Sequence, residues 1–134
     1  MRLIFERNLW QVRESMVRKK LRAKAIYKIL TKTYPNVRCE LDYKNPYQLL
    51  IATVLSAQCT DKRVNQTTPA LFKRYGSVKK MAAADLKELQ DLVKSTGFFR
   101  AKAKNIKALS QKILTDFNGQ VPAELEKLIT LPGV

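Results

Sequence analysis

The chain has 134 residues, room for one domain and not comfortably two, and its 46% apolar content is enough for a core and too much for a wholly disordered tail. Lys and Arg number 26 against 11 Asp and Glu, a net charge of +15 that points to a polyanionic partner, nucleic acid before an anionic membrane surface. The chain has no histidine, which excludes His-dependent serine triads and His-bound zinc among these residues.

The first 15 or so residues are ambiguous: Leu3, Leu9, Trp10 and Val12 form no stripe, and Met16 could be the natural start. Residues 1–16 are therefore expected to be an extension, disordered or nearly so, before a helical domain over 17–134. From Val17 to Tyr34 the sequence predicts a basic amphipathic helix, with Leu21, Ala25, Ile26, Ile29 and Leu30 on one face and Pro35 ending it. Asn45-Pro46 starts the next helix, Asn as N-cap and Pro at the first position. Its stretch Leu49 to Leu55 is apolar almost all round, as in a helix enclosed by others. Thr60 or Asp61 caps a third helix that Gly76 closes, and Ser77 opens a short one ending near Ala83. Asp85 begins a helix with Leu86, Leu89, Leu92 and Val93 on one side, up to Gly97. Ala101 to Phe117 follows, with Ile106, Leu109, Ile113 and Leu114 inward and Asn118-Gly119 as its stop. Pro122 opens a last helix whose Leu125, Leu128 and Ile129 face the core. No segment alternates like a strand, so the fold class is all-α, about seven short helices with short connections.

Cys39 and Cys59 match no short metal motif and read as reduced structural thiols. No apolar run approaches the roughly 20 residues of a membrane span, and the N-terminus lacks a secretory signal, so a cytoplasmic protein is expected.

Four segments carry the chemistry. Leu55-Ser56-Ala57-Gln58-Cys59-Thr60-Asp61 follows the buried apolar helix. Ser95-Thr96-Gly97-Phe98-Phe99 precedes Lys102-Ala103-Lys104-Asn105-Ile106, then come Asn118-Gly119-Gln120-Val121-Pro122 and the ending Leu131-Pro132-Gly133-Val134. In this order they resemble the endonuclease III family of base-excision DNA glycosylases, from about Lys24 to Val134. Ser56-Ala57-Gln58 favours that branch over the adenine-mismatch glycosylases, which usually carry Gln-Gln-Thr.

The resemblance implies a helix-hairpin-helix glycosylase fold, its central six-helix domain cut at the hairpin turn. It implies duplex DNA with oxidised bases or abasic sites as partner, and excision of oxidised pyrimidines with β-elimination at the abasic site as the full-length activity. A monomer is expected, nucleoid-associated if bacterial. Gln58 would fill the space a flipped nucleotide leaves, or else caps the preceding helix. Phe98, after Gly97, would wedge between bases, or else is a core residue; Phe98 and Phe99 cannot both be placed from the sequence. Asp61 reads as a helix cap rather than a catalyst. Arg100, Lys102, Lys104, Lys107 and Lys112 lie in a segment without acids and are expected to neutralise phosphates as a set. The turn Leu131-Pro132-Gly133-Val134 would aim backbone N–H groups at a phosphate, Pro132 serving only to shape it, or else is the kind of turn that commonly follows a helix. The family's catalytic lysine, its assisting aspartate and the cysteines of its 4Fe–4S cluster would all fall beyond Val134, so no catalytic, metal or cofactor residue is expected here. On that reading the chain is inactive and marginally stable by itself; the alternative is a non-catalytic basic DNA-binding protein.

Overall fold

The computed structural model describes the backbone of residues 2–134 and the side chains from Glu14 onward. Among the described residues there are seven α-helices and no strand: α1 (Arg2–Thr33), α2 (Pro46–Ser56), α3 (Asp61–Tyr75), α4 (Val78–Ala82), α5 (Leu86–Val93), α6 (Phe99–Asp116) and α7 (Leu125–Leu128). A turn of 3-10 helix, Lys94–Thr96, links α5 to Gly97.

The chain divides into two compact units, residues 1–39 and 40–134. The first is α1 and its exit. This helix begins at Arg2 and not at Val17, so the boundary expected after residue 16 falls inside it. The sequence misses that start because no capping residue or breaker marks it. The side chains of Leu3, Leu9, Trp10 and Val12 lie outside the described residues. The apolar face does form, but Leu21, Ile26, Ile29 and Leu30 are all exposed.

The second unit is built on α6, which packs on α2, α4, α5 and the 3-10 turn, while α3 packs on α2, α4 and α5. Its core holds Ile51, Leu55, Val64, Leu71, Met81, Leu89, Val93, Ile106, Leu109 and Ile113, each fully buried. The enclosed helix expected at Leu49 to Leu55 is therefore present. Four helices start where their caps predict: the side chains of Asn45, Thr60, Ser77 and Asp85 accept from the amides of Gln48, Arg63, Lys80 and Glu88. Thr60 is the cap of α3, which leaves Asp61 in the first turn. A bidentate pair between Arg74 and Glu88, joined by the Tyr75 hydroxyl, ties α3 to α5.

Three expectations need correction. Leu114 lies at the edge of the core and is exposed. The last helix begins after Glu124 instead of at Pro122, without a side-chain cap. It is a single turn in which Leu128 packs on the core, while Leu125 and Ile129, at helical spacing yet beyond the core's reach, are 67% and 61% exposed.

Candidate nucleic-acid interface

Two short loops present the residues of interest. After α2, Ala57 and Gln58 turn the chain, and the Cys59 amide closes the turn on the Ser56 carbonyl at 3.0 Å. Gln58 has φ +51°, the left-handed region that a non-glycine residue enters at a cost, and its side chain is exposed. The C-cap position of α2 is Ala57, one residue before it. The second loop follows the 3-10 turn. Gly97 takes φ +69° and Phe98 φ +46°, and α6 then starts without a side-chain cap. The conformation resolves what the sequence left open: Phe98 is 70% exposed, whereas Phe99 packs against the core with Arg100 over its ring, 5.3 Å from the centroid.

Lys102 departs from its expected role. It is 5% exposed and cannot reach a phosphate. Its ammonium donates to the Leu55 carbonyl and to the Thr96 carbonyl, each at 2.7 Å. Those carbonyls belong to the ends of α2 and of the 3-10 turn, so one atom bridges the roots of both loops. Burial pulls this ammonium below the usual lysine range, partly offset by the charge Cys59 can carry. The sequence held the signal. Residues 102, 106, 109 and 113 lie four, three and four apart, so Lys102 stands on the apolar stripe of α6. Further ties hold the 3-10 turn: Thr67 and Ser95 share a hydrogen bond of 2.8 Å, and buried Thr96 donates to the Val93 carbonyl at 2.8 Å.

The basic set contracts accordingly. Lys112 is paired with Asp116 at 2.5 Å, which leaves Arg100 and Lys104 exposed and Lys107 half-buried. These three recur at helical spacing on one face of α6, next to Phe98.

The ending forms a turn whose Val134 amide donates to the Leu131 carbonyl at 3.2 Å. Leu131 is buried in the core with its amide bonded to the Leu128 carbonyl at 3.0 Å, so it anchors the turn; Pro132 is half-buried, while Gly133 and Val134 are exposed. Gly133 has φ +85°, and a Cβ there would meet Cβ and Nδ2 of Asn105 at 3.0 Å. Asn105 was not read as part of the site; no charge or motif letter singles it out. The first two turns of α6 thus carry Phe98 at their start, Arg100 and Lys104 outward, Lys102 inward, and Asn105 against the glycine turn.

The residues present do not suit an iron–sulfur cluster. There are only two cysteines; Cys39 is exposed, and the half-buried Cys59 turns its thiol to the Thr60 carbonyl at 3.7 Å. Among the described residues no group of three metal-ligating side chains occurs, and no helix is long and apolar enough to cross a membrane.

Residues 51–133 match the HhH-GPD superfamily of base excision DNA repair proteins. Over 89% of its length the chain is 56% identical to an endonuclease III of Synechocystis sp., and over 75% it is 46% identical to one of Bacillus subtilis. The solved structure of a trapped endonuclease III–DNA covalent intermediate, an estranged-adenine complex, is similar with a TM-score of 0.83 at 41% identity, covering 86% of this chain and 54% of that one. The chain spans about half the length of the curated relatives it matches, 54% and 46% of these two. The resemblance read from the motifs is borne out, and the all-α fold is the helix-hairpin-helix glycosylase fold over the part these residues cover.

Proposed function

Because the chain belongs to the HhH-GPD superfamily of base excision DNA repair proteins, we propose that it grips duplex DNA at a damaged or abasic site and holds the stack open with Gln58 and Phe98. The activity it serves is excision of oxidised pyrimidines followed by β-elimination at the abasic site. The observation that carries this reading is the pair of exposed side chains on left-handed backbone, at loops rooted on one buried ammonium. A glycosylase must extrude its target nucleotide and keep the gap from closing. An amide has the size to enter that gap and the donor and acceptor to face an orphaned base. A phenyl ring beside it stacks on bases of any identity. The estranged-adenine complex of the similar endonuclease III presents such an orphaned base, which supports the assignment of Gln58.

Arg100, Lys104 and Lys107 neutralise the adjoining phosphates, and the exposed turn at Gly133 offers its backbone to another. Lys102 is not a nucleophile here: its amine is buried and committed to two carbonyls. Grip and wedging, not bond cleavage, are thus the contribution of these residues. The protein works as a monomer, in the compartment that holds the DNA.

The test is affinity for a duplex with a tetrahydrofuran abasic analogue against the same duplex intact. Gln58→Ala should cut the preference for the gapped duplex about tenfold, the scale of one lost base contact. An unaltered preference would remove Gln58 from the proposal. Borohydride should trap no adduct between these residues and abasic DNA.

A further inference from the structure

We propose that Lys102 is a positioning residue that couples the Gln58 loop to the Phe98 loop, so that the two side chains enter a duplex as one unit. This rests on the reading of Gln58 and Phe98 above. The Lys102 ammonium lies 2.7 Å from the Leu55 carbonyl and 2.7 Å from the Thr96 carbonyl, which holds the two carbonyls within two hydrogen-bond lengths of each other. Leu55 stands just ahead of the turn that carries Gln58, and Thr96 just ahead of Gly97 and Phe98. The Lys102 amide also donates to the Phe98 carbonyl at 3.0 Å. One residue therefore bonds the base of the first loop and both the base and the tip of the second.

Chemistry explains why a lysine occupies this place on an apolar stripe. Two acceptors from separate segments need a donor that is long and multivalent, and an ammonium offers several N–H bonds from one atom. A methionine of similar length would fill the volume, yet its contacts are non-directional and would let the loop roots slide. Both loop tips sit on left-handed backbone, which persists only where the surroundings over-determine it. Directional bonds at their roots supply that constraint.

The test uses the 134-residue chain and the two duplexes named above, with 2-aminopurine opposite the abasic analogue reporting insertion. Lys102→Met should lower the preference for the gapped duplex about tenfold, as Gln58→Ala does, while affinity for intact duplex falls by less than about threefold. Lys102→Gln, whose amide can still reach one carbonyl, should fall between. Added to Lys102→Met, neither Gln58→Ala nor Phe98→Ala should reduce the preference further, because side chains that act as a unit are lost as a unit. Amides of residues 57–59 and 97–99 should exchange faster in Lys102→Met, with those of Leu109 and Ile113 still protected. Two results would overturn the coupling: wild-type preference in Lys102→Met, or penalties that multiply in the double variants. If Lys102→Met does not fold, Lys102→Gln decides by the same criteria. Should Gln58→Ala and Phe98→Ala leave the preference intact, the wedge reading falls and the coupling with it. Should they abolish it while the Lys102 variants do not, the coupling alone falls.

Discussion

Tyr47 and Ser110 make a polar contact inside the core, their hydroxyls 2.6 Å apart between α2 and α6. Burial pushes the Tyr47 phenol up to about 12, against the lowering effect of Ser110. The sign follows from proton counting. Unfolded, the phenol ionises near its ordinary value of 10.0; folded, it keeps its proton to about 12. Between those values the folded chain binds more protons, so stability falls as pH rises through the window, by about 1.4 kcal/mol per pH unit for this group. Tyr47→Phe should cost about 1 kcal/mol at pH 8 for the lost hydrogen bond. Near pH 11 the gap between variant and wild type should close, since the variant has no phenol to ionise. Urea unfolding of both proteins at the two pH values measures it, and a constant gap would refute the assignment. Lys102 makes the complementary point about legibility. Its position on the core stripe was readable, but its charge and the neighbouring basic residues argued for solvent. Only the two carbonyls it meets decide between them, and backbone acceptors leave no trace in sequence.

Among the elements, those with a chemical start signal were legible and those without were not. Asn45, Thr60, Ser77 and Asp85 each have a short oxygen-bearing side chain that reaches the amide three residues on, so the starts of α2 to α5 could be placed. Glu124 gives α7 no side-chain cap, and Pro122, which offered the signal, is buried in the approach to it. The glycine turn after α7 could be identified as a turn, yet its seat against Asn105 joins residues 28 positions apart and required the fold. Gly133→Ala should weaken this turn by about 1–2 kcal/mol from left-handed backbone alone. Adding Asn105→Ala should restore only part, because Cβ of residue 105 remains 3.0 Å from the new methyl. Amide exchange at Leu131 and Val134 across the two single variants and the double gives the coupling; complete restoration would contradict it.

For the molecule as a whole, net charge indicated the class of partner but not the charges that meet it. Of the basic residues in and around α6, Lys102 is internal and Lys112 is held by Asp116, whereas Arg100 and Lys104 are exposed. Log affinity for intact duplex should fall linearly with log salt, with a slope of about −0.9 per phosphate neutralised. Arg100→Ala and Lys104→Ala should each make the slope shallower by about 0.9, and Lys112→Ala should change it little. Fluorescence anisotropy titrations over a range of salt concentrations test all three; equal effects would mean that charge acts without regard to place.

Lys102 holds its neighbours by main-chain oxygen, and that makes the scaffold modular. The clasp meets main-chain oxygen alone, so it makes no contact with the side chains of Gln58 and Phe98 further out. A combinatorial library at positions 58 and 98 could therefore exchange the reading head while the chassis beneath stays put.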